Sequence, residues 1–558
     1  MASSQAESGW PGIGKSAVKG RAILPWAGRS RLLFWAGVGL VLAGTAASLY
    51  ANPVLKGDFP DPSLIRLKGD YWATATSGEW APIFPLLYSR NLVDWQARGA
   101  VFPVAPAWAA GDYWAPELTA EPTGDPGAGR YRVYYTAHKK QGPLCVAVAT
   151  ARVPAGPYTD HGPLVCQDSG SIDASTVRDE DGQLYLLWKE DGNSRDRPTP
   201  IWAQPLSPDG TRLRGTRREL VRNDAAWEGP LIEGPFVLRR AGWFYLFYSG
   251  NACCGRECRY ALGVARARKL LGPWEKDPHN PILAGNSAWR CPGHGTVVTD
   301  ERGRTFLLYH AYAARDTVYV GRQGLLDEVT WAADGWPRIN DGQGPSGRTA
   351  VPLSRPGAGE SAAAVTVLAD FTAPQLQPEW QWPAADPPAV RIDPARGGAV
   401  ELKPGARHAA PVGELPGAIL ARRLASGDSL ALAELAADLP AGVWAGLAAC
   451  GDPDNALGIA VGNGNALIWR RQQGAVRVVA TVALRIPQGS PLLLRMRVTD
   501  GVRYDFAAGG KESELVPVGA TLDGAYLPPW DRGVRVALTA AGAAPARFHW
   551  LRLTELRP

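Results

Sequence analysis

Five times between residues 70 and 311 the sequence enters an alternating, aromatic-rich strand: DYWATATS (70–77), RYRVYYTA (130–137), QLYLLWKE (183–190), WFYLFYSG (243–250) and RTFLLYHA (304–311). Just upstream of each lies a short segment with one polar residue beside Pro or Gly: FPDPSL (59–64), WAPELT (114–119), SIDAST (171–176), IEGPFV (232–237) and CPGHGT (291–296). The polar residues are Asp61, Glu117, Asp173, Glu233 and His294, separated by 56, 56, 60 and 61 residues. After the second and fourth aromatic strands come matching strands, LCVAVATARVPAGPY (144–158) and YALGVARARKLLGPW (260–274), each ending in a Gly-Pro-aromatic turn. Repeats of this length with about four short strands apiece are what a β-propeller needs, with the first strand of every blade lining the central channel. The chain is therefore expected to be all-β, and the five polar residues to converge near one end of the axis.

Convergence gives Glu233 a use. It stands between Leu231-Ile232 and Gly234-Pro235-Phe236, and a carboxyl in a partly apolar funnel near other carboxylates is expected to have its charged form disfavoured and to hold a proton near neutral pH. A second carboxylate in more polar surroundings stays ionised and can activate water. Those two roles are the ones that cleave a glycosidic bond. The competing reading makes Asp61 and Asp173 turn residues beside Pro and Ser and Glu233 part of an interblade ion pair. The five-fold registration favours the chemistry.

Beyond the repeats the chain changes character. GQGPSGRTAVPLSRPGAGESAAA (342–364) is rich in Gly, Pro and Ser and reads as a linker. From residue 365 onward, short strands such as AVELKP, ALIWRR, VRVVATVAL and PLLLRMRV alternate with turn signals and predict an antiparallel β-sandwich. At the other end, Lys15, Lys19, Arg21, Arg29 and Arg31 precede the uncharged run LLFWAGVGLVLAGTAASLYA (32–51), long enough to span a bilayer. Residues 1–51 are thus expected to be an export signal, cleaved near Thr45-Ala46-Ala47, or an uncleaved membrane anchor; either way the rest lies outside the cytoplasm as a periplasmic, extracellular or anchored protein. The net charge of +6 is concentrated in this leader, so the remainder is close to neutral and nucleic acid is excluded as a partner. Seven cysteines, three of them in NACCGREC (251–258), predict disulfides rather than zinc in an oxidising compartment. Their connectivity is not fixed by the sequence, and an odd total leaves one thiol over.

The segments NPVLKGDFPDPSLIRLKGDYW, DYWAPEL, SIDASTVRDEDGQLYLLW, EGPFVLRRAGWFYLFYS and GHGTVVTDERGRTFLLYH resemble, in order and spacing, glycoside hydrolase family 43, the five-bladed propeller β-xylosidases and α-L-arabinofuranosidases. The resemblance covers about residues 52–341 and implies that Asp61 is a general base, Asp173 tunes and orients the acid, and Glu233 is the general acid of an inverting hydrolysis. It nominates Arg322, in YVGRQGLLDEVTWAADGWP, as an arginine that reaches the substrate, against a reading as an ordinary surface-strand arginine. Trp114 is either a stacking wall for a pentose or core packing. His294 is implied to have a water-mediated link to a Ca2+ ion in the channel, whereas Glu117 is expected to be structural. Residues 365–558 resemble the concanavalin-like domain that follows such propellers, and are expected to pack on the propeller and narrow its pocket. The function implied is an exported hydrolase releasing terminal pentoses from xylan-, arabinan- or arabinoxylan-derived carbohydrate. Endo-arabinanase and exo-β-1,3-galactanase activities share the same acid and base, and a non-catalytic sugar-binding propeller or one used for protein contacts is the alternative of another class. The presence of all three carboxylates favours the enzyme.

Overall fold

The computed structural model describes residues 49–121, 131–316, 318–350, 366–405, 415–485, 489–527 and 531–556. Most of the leader (through residue 48) and most of the linker (351–364) fall outside them. Among the described residues there is no α-helix, only strands and short 3-10 turns.

Five four-stranded antiparallel sheets form the blades of a propeller. Their innermost strands are Ser63–Leu67, Ala109–Ala120, Ser171–Arg178, Ile232–Arg240 and Trp289–Thr299, and each pairs with the aromatic strand that follows it. Those second strands are aromatic on both faces because both are buried. In blade 4, Tyr245 and Phe247 pack with Leu307 and Tyr309 of blade 5, while Phe244, Leu246 and Tyr248 pack with Tyr185 and Leu187 of blade 3. The ring closes where Phe306 and Leu308 of blade 5 meet Tyr71 and Leu87 of blade 1. Leu49–Ala51 pairs with Arg348–Ala350, across the boundaries expected at 52 and 341.

The second half is a sandwich of a nine-stranded and a six-stranded sheet. Met496, Phe506 and Phe548 of the larger sheet pack against Leu447, Ile459 and Leu538 of the smaller. Sandwich and propeller belong to one compact unit. Trp80–Ala81 of blade 1 pairs with Trp382–Pro383. Beside it the buried Asp58 accepts from Arg535 Nη2 at 2.9 Å and Gly533 N at 3.1 Å, both in the sandwich, and from Arg322 N at 3.1 Å. One carboxylate thus fixes a sandwich loop against the mouth of the propeller.

Three disulfides are present, Cys145–Cys166, Cys253–Cys254 and Cys258–Cys291, and the thiol left over is the buried Cys450. The last two bridges hold the blade 4 loop, and Cys258–Cys291 ties it to the first strand of blade 5 just before His294.

Candidate active site

The register of the five axial positions differs from the one expected. The equivalent residue in each blade is the one whose backbone turns left-handed: Asp61 (φ 51°), Ala115 (φ 41°), Asp173 (φ 58°), Gly234 (φ 61°) and His294 (φ 43°). In the four blades where the kink falls inside the first strand, the ladder shifts register there. Glu117 and Glu233 are therefore not equivalents of Asp61. Glu117 lies two residues past its kink, further along the channel, and Glu233 one residue before, at the position that Trp114 occupies in blade 2. Non-glycine residues in this conformation are costly, by about 1–3 kcal/mol each, and concentrate at functional sites. Gly234 has a further constraint, because a Cβ there would lie 3.0 Å from the His294 ring.

A second ring of side chains, unread in the sequence, supports the first. Thr76, Thr136, Lys189, Ser249 and His310 occupy the same step of the five aromatic strands, opposite Pro60, Trp114, Ile172, Glu233 and Gly293. Four of them accept the N–H of the kinked residue in the next blade: Thr76 from Ala115, Thr136 from Asp173, Ser249 from His294 and His310 from Asp61, at 2.7–3.1 Å. The exception is Lys189. There the Gly234 N–H donates instead to Asp173 Oδ2 at 3.0 Å, and Lys189 Nζ contacts Glu233 Oε2 and Asp191 Oδ1, each at 2.8 Å. The sequence did carry a signal, since each aromatic segment has a polar residue near its end.

Asp61, Asp173 and Glu233 are brought together, each 7–8% exposed, and Asp61 and Asp173 line a narrow axial cavity. Asp61 accepts from Thr76 Oγ1 at 2.7 Å and from Arg322 Nη1 at 2.9 Å, with His294 Nδ1 3.5 Å away. Burial pushes its pKa up, but Arg322, then His294 and His310, overcome that and hold it far below the usual range. Burial, then Arg322, push His310 down to about 4. It is thus neutral at pH 7, and its Nδ1 accepts the Asp61 N–H rather than forming an ion pair.

Asp173 behaves in the opposite way. Burial, followed by the neighbouring Glu233 and Asp61 charges, pushes it up to about 7 against the pull of His294 and Lys189. Glu233 departs from expectation. Burial raises its pKa, but the Lys189 ammonium, absent from the sequence argument, outweighs burial and lowers it. Two carboxyl groups thus compete for one proton beside one ammonium, and in the free protein the proton resides with Asp173.

Arg322 is buried, not a surface-strand residue, and its other nitrogen donates to Asp531 O of the sandwich loop at 3.0 Å. Trp114 is half-buried, and its indole N–H has no protein partner. Glu117 lines the cavity with Asp61 and Asp173, beside Ser63 and Thr296, and burial pushes it up to about 7. Calcium takes six to eight oxygens. Around His294 the nearest oxygens, those of Asp61 and Asp173, already accept from Arg322, Thr76 and Gly234. Among the described residues no group of three or more His, Cys, Asp or Glu is placed to hold a metal. An ion there would be held through water, with His294 as this chain's contribution.

The sequence matches the model of the glycosyl hydrolases family 43 over residues 50–337 and that of the beta xylosidase C-terminal concanavalin A-like domain over residues 369–554. The chain belongs to glycosyl hydrolase family 43. It is 29% identical over 328 residues to a xylosidase/arabinosidase 43B of Humicola insolens, covering 54% of this chain and 57% of the relative. It is 25% identical over 314 residues to an extracellular exo-α-(1→5)-L-arabinofuranosidase of Cellvibrio japonicus, covering 51% of this chain and 87% of the relative. The chain spans 57% of the length of the Humicola relative and of a Butyrivibrio fibrisolvens xylosidase/arabinosidase. In fold it superposes on the xylan β-1,4-xylosidase of Bacillus halodurans with a TM-score of 0.74 at 23% identity, covering 90% of this chain and all of that one.

Proposed function

We propose that the chain is an exported, inverting glycoside hydrolase that removes terminal pentoses, as a β-xylosidase, an α-L-arabinofuranosidase or both, from xylan- or arabinan-derived carbohydrate. The observation that carries this reading is the opposed electrostatics of three neighbouring buried carboxyl groups. Asp61 is held ionised by Arg322, while Asp173 and Glu233 retain a proton between them at neutral pH.

In this reading Asp61 accepts a proton from water, whose oxygen forms the new bond to the anomeric carbon. As the glycosidic C–O bond breaks, its electron pair goes to the leaving oxygen, which takes a proton from Glu233. Asp173 supplies that proton to the pair and fixes the Gly234 N–H, so that Glu233 is aimed at the scissile bond. Trp114, at the level of Glu233 two blades away, is read as the wall that faces the sugar. The sandwich loop behind Arg322 closes one side of the mouth, which suits release of terminal units. The leader at residues 32–51 and the three disulfides support export.

The test is a screen of purified protein on aryl β-D-xylopyranosides and α-L-arabinofuranosides, arabinan, arabinoxylan and galactan. Product length is recorded, and the anomer first released is followed by NMR. Monosaccharide with inverted configuration is expected. A retained anomer, or binding without release, would overturn the reading.

A further inference from the structure

The junction between blades 3 and 4 breaks the pattern that the other four obey. At every other junction the inner-ring side chain accepts a backbone N–H from the next blade and carries no charge at pH 7. At this one the ring residue is a lysine, 1% exposed, whose ammonium reaches past the backbone to the carboxyl of Glu233. On its far side the ammonium is held by Asp191, which is half-buried. The N–H that a fifth ring acceptor would have taken is satisfied by Asp173, so the lysine is not needed to close the ring. Burying an ammonium is expensive and gains little stability over an apolar side chain. A threonine or serine would have continued the pattern at no such cost.

We propose that Lys189 is a positioning residue for the acid. It fixes the Glu233 carboxyl through the 2.8 Å Nζ–Oε2 contact, and it neutralises the carboxylate that Glu233 becomes when its proton passes to the leaving oxygen. The proposal rests on the reading of Glu233 as general acid. The Asp173–Glu233 pair gains its second negative charge only as the bond breaks and the shared proton leaves, and a cation already in place stabilises that charge without reorganisation. The benefit is large where the leaving group must be protonated and small where it departs unaided.

The test compares kcat/KM on methyl and 2,4-dinitrophenyl glycosides, as β-D-xylopyranosides and α-L-arabinofuranosides, using the full chain. The ratio of the two constants does not depend on the fraction of enzyme that is folded, so a structural role alone leaves it unmoved. Lys189→Met is expected to lower kcat/KM on the methyl glycoside about 100-fold, and on the dinitrophenyl glycoside less than about 5-fold. Asp191→Asn, at the half-buried end of the contact, moves the ratio in the same direction by about 3-fold and is measurable even if Lys189→Met does not fold. Glu233→Ala is run beside them. If it shows the leaving-group signature and neither of the other variants does, the role of Lys189 is overturned alone. If Glu233→Ala lacks the signature, the acid assignment falls and this proposal falls with it.

Discussion

Asp61 and Glu233 are equally buried, at 8% exposure each, yet they are held in opposite ways. Asp61 has a guanidinium and a hydroxyl bonded directly to its oxygens and two imidazoles beside them. No other carboxylate shares the Arg322 nitrogen that it uses. Glu233 has one ammonium, which it shares with Asp191, and a second carboxyl group, Asp173, close by. Burial is therefore not what separates base from acid. The ratio of fixed cations to carboxylates does. On the Asp61 side positive charge suffices and no proton is needed, whereas on the Glu233 side it falls short and a proton must make up the difference.

Removing either carboxylate breaks this comparison most severely. Asp61→Ala should lose about 10³-fold in kcat/KM on methyl and dinitrophenyl glycosides alike, because water activation serves both. A small anion such as azide should restore part of the rate by replacing the activated water. A rate within tenfold of the parent would place the base elsewhere.

Arg322→Met should come next, at about 100-fold. With its main cation gone, Asp61 is left buried without the largest of the charges that oppose burial, and its pKa rises. The base is then protonated, and inactive, up to a higher pH, so the acidic limb of the kcat/KM profile moves upward. Loss of one partner from a buried pair should also cost about 3–5 kcal/mol of stability, readable as a lower Tm. An acidic limb that stays in place would mean that Arg322 is not what holds Asp61 ionised.

Much of this side-to-side contrast could be read in the sequence, and the part that could not has a definite cause. Asp61, Asp173, Glu233 and His294 were findable because each breaks an apolar or Gly-Pro segment at a regular interval. The interval itself was slightly wrong, since polarity was aligned where the structure repeats a backbone kink. Ala115 and Gly234 are the true partners of Asp61, and neither carries a polar side chain to mark it. Lys189, Thr76 and His310 were missed for another reason. They sit within or just beyond strands whose other residues are explained by interblade packing, and only the ladder register shows which residues face the axis. The Lys189 contact then reverses the shift expected for Glu233, which no reasoning from flanking apolar residues could have given. The sandwich was legible as a strand pattern, but the hold of Asp58 on Arg535 joins residues at opposite ends of the chain and leaves no local trace.

Asp173→Asn should have a moderate effect, with a defined sign. In the parent the pair gives up its last proton near pH 7, where Asp173 titrates. In the variant only Glu233 can hold it, and Lys189 keeps that pKa below the ordinary glutamate range. The protonated acid is therefore lost at lower pH, and the alkaline limb of kcat/KM moves down. The rate at the optimum should fall about tenfold, because the Gly234 N–H keeps an oxygen acceptor but the pair loses its proton donor. An alkaline limb that stays put or moves up, with the fold intact by circular dichroism, would restrict Asp173 to orienting Glu233.

The smallest effect on rate belongs to Glu117, and it shows whether proximity to the axis is enough to confer a role. Glu117 shares the cavity with Asp61 and Asp173 but has no cation bonded to it; burial pushes its pKa up to about 7, with Ser63, His294 and Thr296 opposing. A carboxyl whose pKa is higher folded than unfolded favours the native state fully below its unfolded value, near 4.3 for glutamate. That advantage is lost as pH rises through the folded value. Ionising Glu117 should thus cost the parent up to about 3 kcal/mol between pH 5 and pH 8, at 1.36 kcal/mol per pKa unit. Glu117→Gln keeps an acceptor and a donor for the same hydroxyls and cannot ionise. Its Tm should match the parent's at pH 5 and exceed it at pH 8, with kcat/KM at pH 6 within about twofold. A Tm difference equal at both pH values would mean that Glu117 does not titrate in this range. A variant less stable than the parent at pH 8 would mean that the native protein holds Glu117 ionised against a cation in the channel, and the distinction between carboxylates with and without a fixed positive partner would have to be redrawn at that position.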